Sequence, residues 1–247
     1  MSGRIRVGIG GWTFEPWRGT FYPEGLRQKD ELAYVGTHLT ATEINATYYS
    51  TQKPATFANW AKAVPDGFKF AVKASRFCTN RRVLAEAGES IGKFVNQGLA
   101  DLGDRLGPIV WQFMPTKAFD PDDFGAFLKL LPASVDGAPL RHALEVRHDS
   151  FDDPVFLALA REAGAAVVFA DHDDYPALHG HDVGFSYARL MRTREEEKTG
   201  YAPADIARWA EMLRDEAGKG DAFAFFISGA KVRAPAAALA LIAELDK

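Results

Sequence analysis

Cysteine is nearly missing from this sequence: Cys78 is the single one in 247 residues. An internal disulfide is therefore excluded, and no Cys/His zinc spacing exists. A lone thiol fits a reducing, cytoplasmic compartment. No stretch reaches the ~18 apolar residues of a membrane span, so no membrane partner is expected. The N-terminal run carries only a short apolar segment before Trp12, Glu15 and Pro16, which does not read as a signal peptide. Positive charge is not in excess either. Lys and Arg number 29 against 33 Asp and Glu, a net charge of -4, so the surface as a whole is not built to wrap nucleic acid. A locally basic groove stays compatible with that balance. Repeats, linker-like stretches and low-complexity segments are missing as well, and one domain over 1–247 is expected. The run Gly8–Thr13 (GIGGWT) lacks the third glycine of a dinucleotide fingerprint, because Thr13 occupies that place and Pro16 follows. It reads instead as a close-packed turn after a strand.

What is present is an ordinary globular composition, 47% hydrophobic and 25% charged. The length is close to the ~250 residues typical of a (β/α)₈ barrel. Eight short apolar runs recur: Ile5–Ile9, Ala41–Ile44, Phe68–Val72, Pro108–Phe113, His142–Val146, Ala166–Phe169, Gly184–Leu190 and Ala222–Ile227. Helical patterns alternate with them at Asp30–His38, Pro54–Ala63, Ser90–Leu106, Pro121–Leu131, Pro154–Ala163, Pro203–Ala217 and Pro235–Leu245. Asp120-Pro121 and Asp153-Pro154 mark helix starts, while Gly107, Gly164 and Gly218 stand where helices stop. Alternating strands and helices imply parallel pairing through right-handed crossovers. The fold class is therefore α/β, a single (β/α)₈ TIM-type barrel. The dozen residues from Asp171 to Asp182 show no amphipathic period, so the helix between strands six and seven is expected to be short or missing.

In such a barrel, chemistry collects at the carboxyl ends of the strands. Strand two ends in Glu43 and Asn45, which share a side of an extended chain, with Tyr48 beyond. Strand three ends in Lys73, followed by Arg76. An ammonium pointing into the barrel calls for a carboxylate partner, Glu43 or Glu145; otherwise it binds an anion, acts as a base or forms a Schiff base. Gln112 ends strand four. Strand five ends in Glu145, Arg147 and His148, the first two on one face and the histidine on the other. Strand six ends in Asp171, and strand seven in Arg189 and Arg192. Ser228 follows strand eight with Gly229 and Lys231. Glu43, Lys73, Glu145 and His148 are the catalytic candidates. Trp12, Asn45, Tyr48, Arg76, Gln112, Arg147, Asp171, Arg189, Arg192 and Ser228 are the ligand-binding ones. Internal ion pairing is the competing reading for every charged member. The interleaved Lys73, Arg147 and Arg189 speak against a metal among Glu43, Glu145 and Asp171, and no cofactor is expected. The aromatics between Trp12 and Tyr22 are either a wall over the mouth or a packing cluster. Cys78 lies among Arg76, Arg81 and Arg82, which would lower a thiol pKa, yet packing is its default role.

The chain also resembles the DUF72 family, the YecE-like proteins of unknown function. The pieces that carry the resemblance are Gly8–Trp12 with Trp17–Pro23, Glu43-Ile44-Asn45 with Tyr48, Phe68–Lys73, Gln112 before Pro115, Glu145–His148 and Tyr187–Leu190. They run in order over nearly the whole chain. The resemblance implies a TIM-type barrel and supplies no established activity. Three places at the mouth depart from the family pattern: Asn80 where a histidine is common, Arg189–Arg192 where Arg-x-His-Gly is common, and Ile227–Lys231 where an asparagine-bearing turn is common. The expected function is that of an enzyme or binder of a small anionic ligand, phosphorylated or not, at the mouth. The alternatives are a nucleic-acid protein using a basic, aromatic rim, which the net acidity disfavours, and a non-catalytic ligand sensor.

Overall fold

A computed structural model describes residues 3–180 and 182–247. The barrel strands are β1 (Ile5–Gly10), β2 (Ala41–Ile44), β3 (Lys69–Lys73), β4 (Leu106–Gln112), β5 (His142–Glu145), β6 (in two pieces, Ala166–Val167 and Phe169–Asp171), β7 (Phe185–Leu190) and β8 (Asp221–Phe226). Hydrogen bonding runs in the order 5-4-3-2-1-8-7. The first piece of β6 pairs with β5 and the second with β7, so this broken strand closes the ring. Every pairing in the barrel is parallel. No helix among the described residues is long and apolar enough to cross a membrane.

The helices are α1 (Glu31–His38), α2 (Ala46–Tyr49), α3 (Pro54–Ala63), α4 (Arg76–Thr79), α5 (Gly88–Val95), α6 (Pro121–Leu128), α7 (Pro154–Glu162), α8 (Pro203–Ala217) and α9 (Ala234–Leu245). The Asp-Pro starts work as expected. Asp120 accepts from the Asp122 and Asp123 amides, and Asp153 from that of Val155, each offsetting orphan donors of a first turn. The expected helix Ser90–Leu106 is two pieces. α5 ends at Val95, a 3-10 segment follows at Leu99–Arg105, and β4 begins at Leu106. Gly98 makes the break, with φ of 114°, because a Cβ there would fall 2.6 Å from Pro54 at the start of α3. Between β6 and β7 no helix forms among the described residues.

Strand alternation sorts the apolar residues into two cores. Val7, Ile9, Phe70 and Leu144 face outward to the helices, where Phe57, Phe124 and Phe156 meet them. Ala41, Ala71, Val110, Ala143, Tyr187, Phe223 and Phe225 face inward. Small side chains from β2–β5 leave room for the large ones from β7 and β8. Gly8 belongs to the same fit: a Cβ there would lie 2.1 Å from the Ala41 carbonyl and 3.2 Å from the Phe225 ring. The glycines of β1 thus answer to barrel packing. This apolar plug fills the middle of the barrel, and polar side chains of β2, β3, β4, β5 and β7 stand above it, with Gly10 and Ile227 on the β1–β8 side.

Candidate functional site

Glu43, Lys73, Gln112, Glu145 and Arg189 are inward polar residues just above the plug, and all are buried. Arg189 of β7 reaches across the barrel. Its Nε and Nη2 donate to the two Glu43 carboxylate oxygens at 3.1 and 2.8 Å, and its Nη1 donates to Glu145 and, at 3.2 Å, to Gln112. Arg147 donates from Nε to the other Glu145 oxygen at 2.6 Å and from Nη2 to Gln112 at 2.8 Å. The Tyr187 hydroxyl donates to Glu43 at 2.8 Å. Both carboxylates are fully buried with both oxygens engaged. Burial pushes the Glu145 carboxyl up, but Arg189 and Arg147 outweigh it and hold it below its ordinary range. Burial pulls the Arg189 guanidinium down, while Glu145 and Glu43 more than compensate and raise it. Two carboxylates and three cations (Lys73, Arg147, Arg189) leave this cluster with one excess positive charge.

Lys73 is the charge left over. It is 9% exposed, and its ammonium makes no ion pair within 4.0 Å and no side-chain hydrogen bond among the described residues. Its Nζ lies 4.3 Å from the Tyr48 ring centroid, a cation–π contact. The Tyr48 hydroxyl accepts from Asn80 at 3.1 Å, so the residue that departs from the family's common histidine holds this ring. Burial lowers the Lys73 pKa to about 8, with Arg189 adding to the effect and Glu43 opposing it. The sequence-based pairing of Lys73 with Glu43 or Glu145 is therefore not formed, because Arg189 engages both acids.

A family model described as a protein of unknown function, DUF72, matches residues 6–247. The chain belongs to the DUF72 family. It is similar to a DUF72 protein of Thermotoga maritima, with a TM-score of 0.79 at 20% identity, covering 99% of this chain and 100% of the other. A DUF72 protein of Enterococcus faecalis V583 superposes with a TM-score of 0.77 at 20% identity, covering 98% and 96%. SacUVDE is more distant, with a TM-score of 0.59 at 12% identity and 99% of each chain covered. At these identities the likeness is one of fold. Among curated proteins, none matches the sequence.

The remaining candidates of this DUF72 barrel lie around the mouth or outside it. Asp171 and Arg192 alternate to the outside of the barrel. Arg192 donates from Nε to Asp171 at 2.9 Å and from Nη1 to Asp173 at 2.9 Å, while the Tyr201 hydroxyl donates to Asp171 at 2.7 Å. This is a separate ion-pair cluster, and the hydrogen bonds to Asp171 and Asp173 raise the Arg192 pKa. His148 caps the turn after β5, its Nδ1 2.8 Å from the Ser150 hydroxyl, on the face opposite Glu145. Arg76 is exposed, with its guanidinium 5.4 Å from the Phe77 ring. Trp12 packs edge-on against Trp60 and Phe70 of the outer core, and Trp17 is fully buried. The segment after β1 is thus a packing cluster, and Trp12 retains one partly exposed edge beside the mouth. Asn45 stands beside Gly10, and Ser228 donates weakly to the Met191 carbonyl at 3.4 Å. The Cys78 thiol is buried and pushed up to about 12 by that burial, against a smaller opposing effect of Arg81. It is a packing residue. Among the described residues no group of three or more His, Cys, Asp or Glu is arranged to hold a metal ion.

Two contributors escaped the sequence reading. Tyr187 lies two residues before Arg189 on the same face, so alternation could have found it. Tyr175, in the loop after β6, accepts from Arg147 at 3.2 Å with the guanidinium 4.6 Å from its ring. Nothing local marks that contact. Lys231, which the sequence places in the loop after strand eight, is fixed by a contact the sequence does not show: its carbonyl accepts from the Trp17 indole at 2.9 Å, 214 positions away.

Proposed function

We propose that the mouth of this barrel binds a small anionic molecule, carboxylated or phosphorylated, with Lys73 as its principal anchor. One observation carries the reading: Lys73 is a buried ammonium with no ion pair within 4.0 Å among the described residues, in a cluster that has one positive charge too many. Leaving such a charge unpaired in low-dielectric surroundings is costly, and an anion beside it removes that cost. The placement at the carboxyl ends of β2–β5 and β7 is where barrels keep their ligand sites. Glu43 and Glu145 serve as positioning residues: Glu43 aims Arg189, and Glu145 aims both Arg189 and Arg147. Neither has a free oxygen for proton transfer, whereas Lys73, near pKa 8, changes protonation close to neutral pH.

Calorimetric titration with sulfate, whose charge is constant over the range, tests the reading. Protonated Lys73 falls from roughly nine-tenths at pH 7 to about 3% at pH 9.5, for a pKa near 8. Sulfate affinity is expected to drop by up to about 30-fold between those values, and Lys73→Met is expected to abolish binding at pH 7. Equal affinity at both pH values, or in the variant, would sink the assignment. Salt-sensitive binding of an oligonucleotide with no response to sulfate would favour a nucleic-acid role instead.

A further inference from the structure

A second lysine, after β8, also makes no ion pair among the described residues. Lys231 follows β8 and lines an open cleft of about 270 Å³ together with Gly10, Gly11, Trp12, Thr13 and Asn45. Its ammonium lies 4.7 Å from the Phe14 ring centroid and 5.5 Å from that of Trp17. Burial alone lowers its pKa, and no charged neighbour contributes. The backbone that carries it is pinned on two sides. Trp17 Nε1 donates to the Lys231 carbonyl at 2.9 Å, and Thr193 Oγ1 donates to the Ser228 and Ala230 carbonyls at 2.8 and 3.1 Å. An ammonium held this way is preorganised, so little entropy is lost when an anion docks on it. Gly11, at φ of 76°, leaves open space where a Cβ would stand, and the Asn45 amide supplies a neutral hydrogen-bonding group on the adjoining strand.

The strand order 3-2-1-8 puts Lys73 and Lys231 at the two ends of one arc of the mouth. That arc is three strand spacings wide, roughly 14 Å along the rim. The inward acid on the arc, Glu43, is turned across the barrel to Arg189.

We infer that the cleft at Lys231 is a second anion subsite, and that the ligand of this mouth is a dianion whose two acidic groups are separated by a short chain, one on Lys73 and one on Lys231. This inference rests on the anion reading of Lys73. A dicarboxylate and a phosphorylated carboxylic acid share the required chemistry.

The test compares acetate with malonate, succinate, glutarate and adipate, and with phosphonoacetate and 3-phosphonopropionate, by calorimetry at pH 7. The proteins are the wild type, Lys231→Met, Lys231→Arg and Lys73→Met, each checked for a cooperative melting transition and used only over its folded range. One chain length is expected to bind the wild type at least tenfold tighter than acetate. Lys231→Met should bring that ligand to within threefold of acetate while acetate itself still binds, and Lys231→Arg should restore most of the preference. The phosphono acids distinguish which end group is preferred. Acetate binding without any preference for a dianion, or a preference unchanged in Lys231→Met, overturns the two-anchor inference alone. Failure of the wild type to bind any of these anions overturns the Lys73 reading with it.

Discussion

Replacing Lys73 by methionine should make this protein more stable. The ammonium falls from an ordinary 10.5 to about 8, and each pH unit corresponds to about 1.4 kcal/mol, so holding it charged in the fold costs about 3 kcal/mol. The sign follows from proton counts. Between about pH 8 and 10.5 the unfolded chain binds the proton and the folded chain does not, so stability rises with pH across that window. The cost is fully present below pH 8 and gone above 10.5. Methionine keeps the unbranched stem on the Tyr48 ring and removes the charge, while Glu145 retains both its guanidinium partners. Urea unfolding at pH 7 should therefore show Lys73→Met more stable by about 2–3 kcal/mol, and the difference from wild type should shrink towards zero by pH 10.5. Sulfate binding should be lost in the same variant, an instance of a site kept at the expense of stability. A variant less stable than wild type at pH 7, or a difference indifferent to pH, would refute the reasoning, since either means that the ammonium is satisfied within the fold.

Further outcomes follow from the same geometry. Arg189→Met leaves two fully buried carboxylates without their shared partner; a loss of at least 3–5 kcal/mol is expected by urea unfolding. Tyr187→Phe removes only the hydroxyl on Glu43, so a cost of about 1–2 kcal/mol is expected, with sulfate affinity within about twofold of wild type. His148→Ala removes the cap on Ser150 and should cost about 1 kcal/mol in the same assay, again without effect on anion binding. Gly229→Ala puts a Cβ 2.5 Å from the Thr193 carbonyl at a φ of 80°. Its melting temperature should fall by several degrees, the strain being of order 1–3 kcal/mol.

The fold was largely legible because each strand is a short apolar run closed by a turn signal, and the Asp-Pro starts name their helices without ambiguity. What escaped was tertiary. The break at Gly98 is set by the approach of Pro54, some forty residues earlier in the chain. The site was legible in membership and not in pairing. Alternation gathers Glu43, Lys73, Gln112, Glu145 and Arg189 on one inward face, but it cannot say which cation engages which acid. A planar guanidinium reaching across from β7 satisfies Glu43 at two oxygens and still reaches Glu145, which a single ammonium cannot do. That geometry is why Lys73 is left without a partner. Parity would also have placed Arg192, three residues after the inward Arg189, outside the mouth with Asp171. Tyr175 and Lys231 reach the rim through loops, where no periodicity tells a side chain's direction.

The account's central claim is that Lys73 is the uncompensated cation of an anion site. The most direct measurement is the titration of its side chain by NMR, observing the lysine ε-carbon and Nζ signals with Lys73→Arg for assignment, with and without saturating sulfate. The prediction is that Lys73 titrates near pH 8 in the free protein and that its midpoint moves upward when sulfate binds. A Lys73 that titrates near 10.5, or whose midpoint is the same with and without sulfate, would contradict it.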